Sequence, residues 1–481
     1  MLWGCVGVRV CRTSGAAGAG GGLGLRAGVW WLHPCWTVLL VVVPGAVTAA
    51  VVPSELFGSW WHTPKYFGAR TAVLMAAGLG AFMAGALMAS ALPRQVPSGS
   101  PGWPEGRRVV MSLSPAGQKV LGRAGQVLLA FTLAGYVAWA AVAVVRGYGW
   151  DQVLAVVRLQ KYGLEAGKQL LHPVGGVTTF TQFGPVAVAC LLLHTRATGR
   201  RHFFALAVLT VLACLRALLH AERIALIELL MPALVITVVL APRRQQRRRV
   251  WHRLTPGSRG WAWAPLAGLL TAISVFAAFE YTRSWKYYRG QGDGFGAFIL
   301  RRLGGYYATS ANNSALLTDR LADAHHAPYY TVEFLRNAPG LPDAVKAVAP
   351  QLVQHGPSPW NQLVAYVNPE LSSEGGLLIP FYDYGPAGAV LVWAVLGYLI
   401  VRCYRLARAG SPGALIGYSV LYVGALELGR NFYWGQGRFT PMLASVLVLA
   451  WLLQRTSTAP QTPRPGPAGV TGRTADPPAF P

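Results

Sequence analysis

Residues 71–92, TAVLMAAGLGAFMAGALMASAL, carry no charged side chain. At 1.5 Å per residue a helix of that length reaches about 30 Å, the thickness of a bilayer's hydrocarbon core. Working outward, the pattern recurs. Apolar stretches lie at Val29–Val52, Ala69–Leu92, Val120–Val145, Val177–Leu193 and Phe203–Leu219. They continue at Arg223–Ala241, Trp261–Tyr281, Leu377–Val401, Gly413–Gly429 and Arg438–Leu453. The expected fold is an all-α polytopic integral membrane protein of about ten transmembrane helices, with a large extracytoplasmic loop between the seventh and eighth. The expected organisation is a disordered cytoplasmic leader at 1–28, spans 1–7 at 29–281 and an extracytoplasmic loop or helical cap at 282–376. Spans 8–10 follow at 377–453, then a disordered cytoplasmic tail at 454–481, rich in Pro, Thr and Gly.

Composition agrees with this class. The chain is 53% hydrophobic and 12% charged, too apolar for a soluble protein of its length. Its formal charge of +25 raises the question of nucleic acid. The positives, however, cluster in alternate loops, as membrane orientation requires, so no nucleic-acid partner is expected. One set of loops carries Arg94, Arg107 and Arg108, then Arg196, Arg200 and Arg201, then Arg243 to Arg253, then Arg402, Arg405 and Arg408. These read as cytoplasmic. Ten spans then place both termini inside, in a multi-pass protein of the plasma membrane, with the lipid bilayer as its surroundings. The loop 146–176 falls outside and has the pattern of a surface amphipathic helix. Arg exceeds Lys, and Ala, Gly and Val dominate, as in high-GC bacterial genomes.

Charges inside apolar spans are expensive and mark functional candidates. In the inferred orientation they gather near the outer face. Arg216 ends the fifth span; His220, Glu222 and Arg223 form the next turn, with Glu228 just inside the sixth span. Glu280 ends the seventh span, Asp383 lies in the eighth, Glu427 and Arg430 close the ninth and Arg438 opens the tenth. Several guanidiniums at one depth call for an anion, and their planar forks suit phosphate oxygens. The anion expected is an outer-leaflet, lipid-linked pyrophosphate held by Arg216, Arg223, Arg430 and Arg438. His220, Glu222 and Asp383 are the candidate catalytic bases. The adjacent His325 and His326 read as plain loop residues. No Walker loop, D-x-D, G-x-S-x-G or H-E-x-x-H motif is present, and the six cysteines show no ligand spacing. No metal site and no cofactor are expected.

The stretch Gly375-Gly-Leu-Leu-Ile-Pro-Phe-Tyr-Asp383-Tyr384-Gly385-Pro-Ala-Gly388, leading into an apolar span, resembles the late-span motif of the O-antigen polymerases, the Wzy-type oligosaccharide repeat-unit polymerases. Arg302-Leu-Gly-Gly-Tyr306-Tyr307-Ala-Thr-Ser-Ala-Asn312-Asn313 is similar to the start of their large outer loop, and Ala221-Glu222-Arg223 to a mid-chain motif. The resemblance covers roughly residues 200–453. It implies a metal-independent membrane glycosyltransferase that moves a growing glycan from polyprenyl pyrophosphate to an incoming lipid-linked repeat unit at the outer face. It further implies polyprenyl-pyrophosphate-linked oligosaccharides as substrates, with a flippase and a chain-length regulator as protein partners in exopolysaccharide and cell-envelope synthesis. Arg223 and Arg302 match family-like segments, so the resemblance implies that they hold the pyrophosphate. The histidine segment that the related ligases carry before the late span is absent; Asn368-Pro-Glu370 stands there instead. The rival readings are a transporter or flippase of lipid-linked oligosaccharide, which is no enzyme, and an O-antigen ligase.

Overall fold

The computed structural model describes residues 29–92, 113–158, 170–172, 174–219, 224–240, 263–285, 288–291, 294–319, 328, 330–338, 340–348 and 364–458. Among them the regular elements are helices, with no strand. In chain order these are α1 (Pro34–Val51), α2 (Ser54–Trp61), α3 (Ala69–Ala91), α4 (Pro115–Val145), α5 (Trp150–Val157), α6 (Gly184–Thr198), α7 (Phe203–Leu219) and α8 (Ile224–Val239). They continue with α9 (Ala264–Glu280), α10 (Phe295–Asp319), α11 (Glu333–Asn337), α12 (Leu341–Val348), α13 (Ile379–Arg408), α14 (Pro412–Glu427) and α15 (Phe439–Thr458). Each of the ten apolar stretches contains a helix. Five of these helices, α1, α3, α4, α13 and α15, are long and apolar enough to cross a membrane; α7, α8 and α9 are shorter and apolar.

Local chemistry sets the helix ends. Pro34, Pro115 and Pro412 open α1, α4 and α14, where a missing N–H costs nothing. Ser114 accepts from Gly117 N at 3.0 Å and caps α4, and Ser411 caps α14. Gly199, at φ 77°, ends α6 in the left-handed region that glycine adopts without strain. The stretch Val177–Leu193 departs from a single span. Thr178–Phe183 forms a 3₁₀ segment and α6 starts only at Gly184. There the Thr178 and Thr181 hydroxyls bond backward to Val174 O and Thr178 O.

Burial sorts the helices. α14 is buried on nearly every face, packed by α1, α6, α8, α13 and α15. The outer helices turn Val127, Phe131 and Val137 (α4), Phe203 and Phe204 (α7), and Leu391 and Val395 (α13) outward, an apolar surface suited to lipid. With no hydrophobic effect between helices in lipid, close backbone approach by small residues drives packing. The most extensive pair, α3 with α13, uses it reciprocally. A Cβ on Gly85 would collide with Ala394 O, and one on Gly397 with Phe82 O.

Two features shape the end of the bundle opposite Arg405, whose guanidinium binds Ala89 O and Leu92 O. The first is α10, which lies in the connection after α9. Its buried Asn312 accepts from Tyr66 N and Phe67 N (2.7 and 2.9 Å) and donates to Pro64 O at 3.0 Å. Asn313 donates to Leu371 O and Ser373 O (2.9 and 3.0 Å), and Ser314 to Glu374 O at 2.8 Å. Three consecutive polar residues of α10, pointing in different directions, thus tie down two loops. The second is a break in α13. Gly385 has φ 71° and ψ 179°, followed by Pro386, so a short turn from Ile379 precedes the long helix. Trp393 Nε1 donates back to Leu377 O at 3.1 Å, and Gly375 N and Gly376 N donate to Arg430 O and Leu428 O.

Gly85→Val or Gly397→Val must separate α3 from α13. Overpacking at a backbone contact costs about 1–3 kcal/mol or more. The expected result, read by thermal unfolding of detergent-purified protein, is a clear fall in Tm for either variant. Gly80→Val, where a Cβ meets open space, is expected to leave Tm nearly unchanged.

Candidate functional site

The linker Leu428–Arg438, between α14 and α15, is irregular yet largely buried. Its amides are satisfied locally: Arg430 N and Asn431 N donate to Glu427 O at 2.8 Å, Gly435 N to Phe432 O at 3.0 Å and Gln436 N to Tyr433 O at 3.1 Å. Glycines let other backbone crowd it. A Cβ on Gly429 would sit 2.8 Å from Val41 O of α1, and one on Gly435 2.6 Å from Tyr330 O. Val41 lies ten residues before the end of α1, so this linker is recessed about 15 Å from that end at helical rise.

Charges converge on the linker. Glu228, in the first turns of α8, is 3% exposed and accepts from Tyr433 Oη at 2.9 Å and Arg438 Nη1 at 3.3 Å. Glu427, closing α14, pairs with Arg430 Nη1 at 3.6 Å, and Glu228 and Arg438 act on it electrostatically. Buried Glu427 Oε2 and Arg430 Nε have no hydrogen-bond partner. The Arg430 guanidinium carbon lies 5.2 Å from the centre of the Tyr306 ring.

Tyr306 leads to a second cluster. Arg302 on α10 donates through Nε to fully buried Glu280 at 3.1 Å, and its Nη2 meets Glu370 at 2.5 Å. Tyr288 packs on the Arg302 guanidinium, 5.5 Å from ring centre, and donates to Glu370 at 3.4 Å. Burial opposes the Arg302 charge, but Glu280 and Glu370 more than offset it, so its pKa rises and the cation is locked in. Burial, and then the Glu370 carboxylate, push the Tyr288 phenol above its ordinary range and keep it a neutral donor. On the other flank, Arg216 donates to Thr181 Oγ1 at 3.1 Å and lies 5.6 Å from the Trp139 ring. Arg216 and Glu228 line one small cavity with Thr132, Tyr136 and Thr181. The arginines therefore form a band: Arg216, Arg438, Arg430, Tyr306, Arg302.

The structure thus brings Arg430 and Arg438 into one cluster, sets Arg216 across a cavity from it and Arg302 beyond Tyr306. Asp383 stands apart. Its carboxylate is fully buried and accepts from Tyr330 N (2.9 Å), Thr331 N (2.7 Å) and Thr331 Oγ1 (2.8 Å). That geometry fastens the 330–331 backbone against Gly435. His220, Glu222, Arg223, His325 and His326 lie outside the described residues. Sequence reasoning missed Tyr433, Tyr306 and Glu370, which acquire partners only through contacts distant in the chain. Among the described residues no group of three or more His, Cys, Asp or Glu is placed to hold a metal. What the arrangement offers is a set of guanidinium forks linked through shared neighbours and partly neutralised by carboxylates, able to take an anion's oxygens.

No protein family, curated protein or solved structure matches the chain.

Removing one partner of a buried ion pair strands the other, at about 3–5 kcal/mol, whereas replacing both by apolar groups costs far less. Glu280→Met is therefore expected to lower Tm strongly, and the double variant Glu280→Met with Arg302→Met to recover much of the loss. Additive losses in thermal unfolding would show that the pair is not coupled.

Proposed function

We propose that this chain is a membrane glycosyltransferase that polymerises lipid-linked oligosaccharide repeat units on the outer face of a bacterial plasma membrane. In this reading about ten helices cross the bilayer, the arginine-rich loops and both termini are cytoplasmic, and α10 belongs to an outer cap. The observation that carries the proposal is the recessed band of arginines on one end of the bundle, built around irregular backbone. Non-helical backbone at membrane depth is tolerated where it is enclosed by protein or lines a cavity. Enclosed backbone bearing forked cations suits a pyrophosphate that enters from the lipid.

The chemistry is a displacement at a sugar's anomeric carbon. The acceptor hydroxyl oxygen forms the new bond to that carbon while the bond to the pyrophosphate oxygen breaks. The electron pair leaves with the pyrophosphate, and the acceptor proton passes to a base. Negative charge grows on the leaving oxygens, and preorganised guanidiniums at Arg430 and Arg438 stabilise it most where it has developed. Their paired carboxylates, Glu427 and Glu228, hold them in place beforehand. Arg216 extends the anion site on one flank, and Arg223 remains a candidate from its sequence motif. Arg302, engaged by two carboxylates, acts through position. For the base, His220 and Glu222 remain candidates. Glu427 joins them, because one of its oxygens is buried beside Arg430 without a hydrogen bond. Asp383 is best read as a positioning residue.

A flippase needs polar groups along a path through the bundle. The buried charges among the described residues gather at one end, which favours the polymerase. A ligase shares the chemistry and differs in acceptor.

Deleting the gene is expected to abolish long polysaccharide chains while single repeats accumulate outside the cytoplasmic membrane; repeats trapped inside would indicate a flippase. In the complemented strain Arg430→Ala is expected to shorten chains at least about tenfold, one to two kcal/mol in the transfer step. Arg430→Lys should rescue poorly, since the charge returns without the fork. Full-length chains in Arg430→Ala at matched expression would remove Arg430 from the mechanism.

A further inference from the structure

A second concave site lies beside the arginine band. Its walls come from three distant parts of the chain: Trp60 and Trp61 at the end of α2, Tyr288 with Arg301 and Arg302 at α10, and Asn368. Indole, guanidinium, phenol and amide groups line this cleft together. It is built rather than incidental. The Trp61 indole donates to Arg301 O at 2.9 Å, and Asn368 Nδ2 donates to Trp61 O at 3.0 Å. Asn368 Oδ1 in turn accepts from Glu370 N at 2.9 Å. A Cβ on Gly305 would strike the Trp61 ring, so α10 has a glycine where the indole seats. These contacts fix Trp61 as a floor and leave Trp60, 36% exposed, at the rim. The Arg301 guanidinium carbon lies 5.2 Å from the centre of the Trp60 ring, and the two indoles meet edge to face at 5.9 Å.

A pyranose ring has an apolar face of C–H bonds and a rim of hydroxyls that both donate and accept. Its binding sites accordingly join a flat aromatic surface to planar hydrogen-bonding side chains. This cleft has both. Trp60 supplies the aromatic surface. Arg301 and the second N–H of the Asn368 amide supply donors, and the Tyr288 hydroxyl, whose proton goes to Glu370, supplies an acceptor. Charge is balanced locally, two arginines against Glu280 and Glu370, so the site suits a neutral or weakly acidic sugar better than a free phosphate. Tryptophans that merely anchor a protein at a membrane interface need none of this arrangement.

We infer that the Trp60–Arg301 cleft binds a sugar residue of the oligosaccharide repeat unit. Which repeat unit supplies that sugar, the incoming one or the growing chain, rests on the polymerase reading. The cleft adjoins the pyrophosphate-holding band through Arg302 and Tyr306, so a glycan could be held by its sugar in one place and its leaving group in the other.

The test uses full-length protein in lipid nanodiscs. The probe is the single repeat-unit oligosaccharide released by mild acid from the cell's own lipid-linked pool, labelled at its reducing end and carrying no phosphate. Fluorescence anisotropy should show saturable binding. Trp60→Ala and Arg301→Gln should each weaken it at least tenfold, and Trp60→Phe should weaken it less, with elution volume and Tm matching the parent protein. Arg430→Ala should leave it within twofold. A parallel titration with long polymer distinguishes the sources: tighter binding of polymer assigns the cleft to the growing chain, and equal binding to the repeat unit in either. No saturable binding by the parent protein, or binding within twofold in both Trp60→Ala and Arg301→Gln, overturns the inference. Because the probe lacks pyrophosphate, this failure is separate from failure of the polymerase reading, which is read from chain length in the deletion strain.

Discussion

A carboxylate buried in an apolar helical bundle must have a counter-charge, and that requirement organises one whole end of this molecule. Glu228 on α8 reaches Arg438 at the start of α15. Glu427 at the end of α14 reaches Arg430 in the next turn, and Glu280 at the end of α9 reaches Arg302 on α10. The Glu228 pair joins elements distant in the chain, the Glu427 pair is local, and the Glu280 pair sits beside the apolar cluster of Phe276, Phe298 and Ile299. Buried ion pairs add little net stability, because desolvation offsets much of their attraction. Their value here is placement: they hold guanidiniums at a fixed depth in a region that would otherwise be apolar.

Backbone geometry serves the same end. The linker 428–438 abandons helix at depth, and glycines at 429 and 435 allow α1 and the 330–331 segment to close over it. The break at Gly385 and Pro386 brings Gly375 and Gly376 down onto the carbonyls of Arg430 and Leu428. Asp383, four acceptor bonds to residues 330 and 331, closes the third side. The site is therefore walled by three irregular segments from different regions of the chain, two tied by backbone hydrogen bonds and the third held by the Asp383 carboxylate.

Helix positions were legible because apolar length is a strong, local signal; α7 was read at Phe203–Leu219, the bounds it has. The 3₁₀ segment at Thr178–Phe183 was not, since threonine hydroxyls competing for backbone carbonyls leave no mark in an apolar window. The break in α13 lay in a stretch quoted for its resemblance, but Gly-Pro in an apolar run reads equally as a kinked helix. At the site, Arg216, Arg430 and Arg438 stood out because charge is rare in such a chain, and Arg302 through the segment that resembles a family motif. Their partners divided by distance: Glu427 is three residues from Arg430, whereas Glu370 is 68 residues from Arg302 and its pairing depends on the loops that α10 fastens. Tyr306 and Tyr433 gave no signal, because tyrosine is ordinary near membrane surfaces.

On the proposed reading, guanidinium forks rather than a metal stabilise the departing lipid pyrophosphate while a base takes the acceptor proton. Purified protein in liposomes, supplied with lipid-linked single repeat units, no nucleotide sugar and excess chelator, tests it in one gel. The account predicts a ladder of lengthening chains that inorganic pyrophosphate suppresses. Single repeats unchanged in length, or a ladder that appears only when a divalent cation is restored, would contradict it.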